Sequence, residues 1–180
     1  SGSENIAIGY GALDASTVGD FNIAIGSSAL GALDTAGSDD GDSNVAIGAS
    51  AGMSATTMDG AVLIGHEAGN AITTGDHNNF IGSNAGLSTT TGHSNTAFGY
   101  HALRTNIDGD GSVAIGFEAL YTLEPADGNT RSVAVGYRAG KAATTADNNT
   151  LIGSGAGSTI TTGSSNTVVG ATALSSNNIG

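Results

Sequence analysis

Three short stretches decide the fold: Asn22-Ile23-Ala24-Ile25-Gly26, Asn44-Val45-Ala46-Ile47-Gly48 and Ser112-Val113-Ala114-Ile115-Gly116. Each is an apolar triplet set between a small polar residue and a glycine. The pattern recurs along the whole chain. A large apolar residue followed by Gly stands at Gly9, Gly26, Gly48, Gly65, Gly82, Gly99, Gly116, Gly136, Gly153 and Gly170. Seven of the spacings are 17 residues, and the other two are 22 and 20. The chain is therefore ten repeats of 17 residues, two of them lengthened. Such self-similarity is the signature of a repeat architecture.

Each of these glycines can be counted as position 0 of its repeat. Position −1 is Ile, Val or Phe in all ten, and position +3 is always Ala. Position −2 is apolar throughout, from Ala7 and Ala24 to Leu63 and Phe80. Position −4 is Asn in seven repeats, Ser at Ser112 and Ser132, and Ala61 once. Position +4 is only Leu or Gly. Two-helix repeats need about 33 residues or more, which excludes them. A short unit with β-branched residues before a glycine suits short strands and tight turns. The reading is an all-β fold: a β-solenoid, or parallel β-roll, of about ten 17-residue coils stacked at about 4.8 Å.

Several consequences follow for the columns. The glycine at 0 takes a backbone angle closed to other residues, or lets a neighbouring backbone approach. The Asn at −4 bonds nearby backbone at a turn, or stacks into an amide ladder. The Ala at +3 marks tight packing. Position −1, always large, is expected to be core, so that Val135→Asp should unfold the rod or split an assembly. Apolar residues at both −1 and −2 imply burial on both strand faces. One face fills the coil. The other needs a cover, either a loop of the same coil or a neighbouring chain.

The triplets resemble the head repeats of YadA-like trimeric autotransporter adhesins. Asn95-Thr96-Ala97-Phe98-Gly99-Tyr100-His101-Ala102-Leu103 resembles repeats of phage tail fibres. The resemblance covers Glu4 to about Leu174. It implies a left-handed roll with three chains side by side, hence a homotrimer. It also implies a structural and adhesive role, outside the cell, on a bacterial surface or a virion tail fibre. The family repeat is shorter, about 14 residues, so the turn after the Ala column must be longer here.

Composition alone points elsewhere. Leu, Ile, Val and Phe make up 35 of 180 residues, just under the roughly 20% at which a highly charged chain tends to disorder. The repeat reverses that reading, because residues in register can stack. The net charge of −12 repels phosphate backbones, which argues against a nucleic-acid partner. No apolar run approaches the roughly 20 residues of a membrane span. Without Cys there is neither a disulfide framework nor a thiolate zinc site. Residues 1–3 read as a cloning remnant and 4–180 as one repeat domain, with loop insertions near 31–43 and 123–131.

Candidate chemistry is sparse. His66, His77, His93 and His101 fall in different columns, although His77 and His93 lie on adjacent coils. Glu67 and Glu118 share the +2 column with Ser, Asn, His and Arg, as a solvent face would. The acidic loops Asn106-Ile107-Asp108-Gly109-Asp110-Gly111 and Ser38-Asp39-Asp40-Gly41-Asp42 alternate oxygen ligands with Gly as calcium loops do, but they also suit plain turns. Thr columns run at +8 (Thr17, Thr56, Thr73, Thr90, Thr144, Thr161) and at +9 (Thr57, Thr74, Thr91, Thr145, Thr162). They raise ice binding as the second reading. Recognition is expected at the two insertions or at the aromatic residues Tyr10, Tyr100, Phe117 and Tyr137, with a host-surface glycan or protein as the receptor. No catalytic, metal or cofactor residues are assigned, and the chain is not expected to be an enzyme.

Overall fold

The computed structural model describes residues 2–16, 18–34, 41–124 and 130–176. Ten three-residue strands follow one another: β1 (Ile6–Ile8), β2 (Ile23–Ile25), β3 (Val45–Ile47), β4 (Val62–Ile64), β5 (Asn79–Ile81), β6 (Thr96–Phe98), β7 (Val113–Ile115), β8 (Val133–Val135), β9 (Thr150–Ile152) and β10 (Thr167–Val169). They form one parallel sheet in chain order. The register is that of the repeat: Ile6 pairs with Ile23, and Phe98 with Ile115. The fold is an all-β parallel β-solenoid of about nine turns. Among the described residues there is no helix, and so none long and apolar enough to cross a membrane. The insertions are only partly described, since 35–40 and 125–129 lie outside the described residues.

The −1 column is not the core, which corrects the reading from residue size. Position −2 fills the coil: Ala24, Ala46, Leu63, Phe80, Ala97 and Leu151 are all fully buried. Position −1 faces outward, with Ile8 59%, Phe98 54% and Val169 67% exposed. Strand alternation puts −3 and −1 on one face and −2 on the other. The coil is narrow, so its single inward strand position is mostly Ala. The large residues stand outside because only the outside has room.

Positions −2 and +4 share one interior volume. Where −2 is Ala, +4 is often Leu, as in Ala24 with Leu30, Ala97 with Leu103 and Ala114 with Leu120. Where −2 is Leu or Phe, +4 is Gly, as in Leu63 with Gly69, Phe80 with Gly86 and Leu151 with Gly157. A Cβ on Gly86 would strike the Phe80 ring. Coils with Ala and Gly together are filled by their neighbours: a Cβ on Gly52 would lie 2.7 Å from Leu63 and 3.0 Å from Leu30. The Leu residues at +4 accept left-handed φ, near +50° at Leu30, Leu103 and Leu120. That conformation costs on the order of 1–2 kcal/mol per residue. Burial of a Leu side chain contributes roughly 1.5–3 kcal/mol and offsets it.

Three ladders fasten coil to coil. At position 0, φ lies near +130° and a Cβ on Gly26 would sit 2.5 Å from the Gly48 carbonyl oxygen, so no other residue fits. At −4, each buried Asn reaches into the next coil. Its Oδ1 accepts from the backbone N–H one repeat on, as in Asn44 to Asn22 (2.9 Å) and Ser112 to Asn95 (2.9 Å). Its Nδ2 donates to a carbonyl 14 residues on, as in Asn95 to Gly109 (2.6 Å). The amides thus stack through the backbone, and only Asn44 also touches the preceding amide, at 3.0 Å. The third ladder, at −6, was not anticipated. Asp42, Asp59 and Asp76 each accept the backbone N–H one coil earlier, from Asp20, Asp42 and Asp59, at 2.6, 2.7 and 3.0 Å. Ser3, in the presumed remnant, joins this ladder through Asp20 (2.5 Å). Its backbone N–H, then its hydroxyl, hold the Asp20 carboxyl below the ordinary range.

Two predictions test this interior. Gly86→Leu alone should be strongly destabilising, while Gly86→Leu with Phe80→Ala should recover most of the loss, as measured by thermal melts of both single variants and the double variant. Asn95→Ala should cost about 2–3 kcal/mol, because it removes two bonds and leaves buried groups unpaired. Ala61→Asn should gain about 1 kcal/mol by supplying the missing rung; a denaturant midpoint unchanged or lowered by Ala61→Asn would contradict the ladder.

Candidate functional site

The regular coil carries its outer side chains at +1, +2 and +5, on the turns that follow the Gly column. In most coils these positions are small or polar, for example Ser27, Ser28 and Gly31 in the second coil and Ser154, Gly155 and Ser158 in the ninth. Coils six to eight differ. They carry Tyr100, His101 and Arg104; then Phe117, Glu118 and Tyr121; then Tyr137, Arg138 and Lys141. Three of the chain's four cationic side chains and three of its four Tyr stand in this three-by-three grid.

The geometry follows from register. Residues at +1 repeat at the rise of the coil, so aromatic neighbours must stack. Tyr100 and Phe117 lie 5.5 Å apart at 19°, and Phe117 and Tyr137 lie 5.3 Å apart at 11°. His101 stacks on Tyr100 at 3.8 Å. Arg138 lies over the rings of Phe117 and Tyr137, at 5.7 and 5.0 Å. Arg104 and Lys141 flank the Tyr121 ring, at 5.6 and 5.7 Å. In the centre, Glu118 accepts from Lys141 Nζ at 2.7 Å and from Arg138 Nε at 2.9 Å.

The charges follow from these contacts. Lys141 first, then Arg138, hold the Glu118 carboxyl below its ordinary value of 4.5, against the opposing effect of burial. Burial first, then Arg104, push the His101 imidazole below its ordinary value, against the opposing effect of Glu118, and the shift favours its neutral form. The grid then carries three cations and one carboxylate, a net +2 on a chain of −12. Glu118 also has a structural task. It ties coil seven to coil eight, where the buried ladder has Ser112 and Ser132 in place of Asn and its backbone bond stretches to 3.4 Å.

Other candidates disperse. The oxygen ligands of Asn106–Gly111 point apart: Asn106 is buried, Asp108 is exposed, and Asp110 accepts from His93 N–H at 2.7 Å. Of the other acidic loop, Ser38, Asp39 and Asp40 lie outside the described residues, and Asp42 serves the −6 ladder. His77 and His93 stand in neighbouring columns, with His93 Nδ1 accepting from Asp76 N–H at 3.0 Å. His66 and Glu67 are neighbours at 3.8 Å. The +8 Thr hydroxyls of Thr56, Thr73, Thr90 and Thr144 donate to carbonyls of the next coil, at 3.0–3.2 Å. Exposed Thr at +9 remains in a single file, at Thr74, Thr91, Thr145 and Thr162; Thr17 lies outside the described residues. An open groove of about 480 Å³ lies between Tyr10, Asp14 and Met53, beside the first insertion.

The aromatic column was legible from the sequence; Arg104, Tyr121 and Lys141 were not grouped with it. Aligning the +5 column would have placed all three beside it. No protein-family model, curated protein or solved structure matches this chain.

The clamp gives a pH prediction. A lowered carboxylate contributes stability that is present above its ordinary value and is lost as pH falls through its value in the fold. Glu118→Gln should therefore lower the melting temperature at pH 7, and the gap should close as the pH drops well below 4.5. A gap that is constant over pH 3–7 would deny the charge its role.

Proposed function

We propose that the chain is a segment of a homotrimeric extracellular fibre, with a left-handed coil. It presents a receptor-binding surface, as YadA-like adhesin heads and phage tail fibres do. The role is mechanical and adhesive rather than enzymatic, with neither cofactor nor metal and no nucleic-acid partner. Its place is a bacterial surface or a virion tail. The receptor is a host-surface glycan or protein.

One observation carries this reading. The outward strand face is apolar at −1 in every coil, from Ile8 to Val169, and at −3 in six of the ten, as at Ile6, Val45 and Val113, with Asn79, Thr96, Thr150 and Thr167 in the others. At about 4.8 Å per coil the stripe runs roughly 45 Å. Apolar surface of that extent is typical of an interface. No part of the same coil lies over it among the described residues, since Ile8, Phe98, Ile115 and Ile152 are exposed. That exposure supports a neighbouring chain as the cover.

The ice-binding reading rests on the exposed +9 Thr file. It is the weaker of the two, because the +8 hydroxyls are engaged within the rod and do not form a second rank.

Light scattering should give three times the chain mass. Val135→Asp should leave a folded single chain, since position −1 faces outward and the Asp would sit in the shared interface. A wild-type species at the mass of one chain would overturn the trimer. Thermal hysteresis at high concentration would favour ice binding instead.

A further inference from the structure

The three-by-three grid on coils six to eight is more than a brace for the coil junction. The structural need at that junction accounts for Glu118, Arg138 and Lys141, which join coil seven to coil eight. It does not account for Tyr100, His101 and Arg104 on coil six, nor for the half-exposed rings of Tyr100 and Tyr137. The fold needs no large residue at these positions, because Ser occupies the +1 column at Ser27, Ser83 and Ser154. Exposed Tyr with Arg is the composition of a binding hot spot.

The size and charge of the patch select its partner. Three rungs span about 10 Å, and the three columns cover a similar width, on the order of 100–200 Å². A stable protein partner needs about 800 Å² on each side. The patch therefore fits a ligand of a few rings. The rest of the chain is strongly acidic, so this net-positive grid is where an anionic group is attracted. At physiological salt the Debye length is about 8 Å, which screens the distant carboxylates but not the contacts themselves. Arg138 and Arg104 lie against ring faces, and that support fixes guanidinium donors for a carboxylate or sulfate. Tyr hydroxyls and Glu118 supply partners for sugar hydroxyls.

We propose that the grid formed by Tyr100, Arg104, Tyr121, Tyr137, Arg138 and Lys141 binds an acidic oligosaccharide of two or three sugar units. The proposal rests on the adhesive reading and names its ligand class and its site.

The test titrates the intact chain with trigalacturonate, a heparin tetrasaccharide and neutral maltotriose. The chain has no Trp, so its fluorescence comes from four Tyr, three of them in the grid. Saturable quenching is expected with at least one acidic saccharide, and the arm that responds separates carboxylate from sulfate. Maltotriose should give none. Arg138→Gln and Lys141→Gln should each weaken binding about tenfold, and about 0.5 M salt should weaken it further. Because both touch the Glu118 clamp, Tyr137→Ser serves as the variant that leaves the clamp in place, and it too should weaken binding. No saturable response to either acidic saccharide, an equal response to maltotriose, or unaltered binding by all three variants would overturn the assignment. Light scattering on the same samples keeps the two proposals apart. A trimer that binds no acidic saccharide refutes the site and leaves the fibre intact. A single chain that binds it refutes the fibre and keeps the site.

Discussion

The structure depends on how closely one coil lies on the next. At the Gly column, the carbonyl oxygen of the following coil occupies the space that a Cβ would need. That approach fixes a uniform rise. With the rise fixed, every column of the repeat becomes a ladder: backbone to backbone in the strands, Asn side chain to backbone inside, Asp side chain to backbone at the corner. The left-handed residues at −5, +2 and +4, such as Ser94, Glu67 and Leu103, are held in an unfavourable conformation by these ladders. None of this stabilises a single coil. A coil of this kind exists only between neighbours, which is why a chain with few large apolar residues can fold at all.

The repeat length, the strand positions and the stacking were legible because each is a matter of period, and period survives in the sequence. Orientation was less so. Ile25 and Val135 are larger than Ala24 and Ala134, and size argued that they were inside; the narrowness of the coil, a property of the closed turn, decided otherwise. The pairing of Phe80 with Gly86 was visible in two columns but makes sense only once both are known to fill one space. The Asp ladder was hidden by a plain feature: Asp at a turn needs no further reason. What it accepts from lies 17 or more residues away, and sequence proximity does not show that. The grid was half visible. Aromatic residues at +1 stand out, whereas Arg104 and Lys141 become their neighbours only when the turn folds +5 beside +1.

The same outward bias that misplaced the −1 column gives the molecule two different faces. One is largely apolar and repeated along the rod, and suits burial against something equally long. The other is varied, and concentrates its aromatic and basic side chains in three coils. Regular surfaces serve assembly because every rung contributes alike. A local departure from regularity leaves the repeated contacts of the other coils unchanged.

The buried ladder also has a direction and two faults. Each Asn side chain reaches forward along the chain, while each Asp accepts from the coil behind, so adjacent coils are held by bonds of opposite sense. Ala61 offers no side-chain oxygen to the fifth coil, and Ser112 accepts the backbone N–H of the eighth only at 3.4 Å, its hydroxyl donating instead to Thr130 at 2.5 Å. A rod of near-identical units joined by unequal couplings does not open at random. Its cooperative blocks are bounded by the weak couplings. Coils one to four, five to seven and eight to ten are then the natural units of local opening; a single bond from Asn84 to Glu67 (2.8 Å) braces the first seam from outside, and the ion pairs of the Glu118 cluster brace the second. Under load or heat, the seam between Ile64 and Asn79 is where amide exchange would first reach the interior.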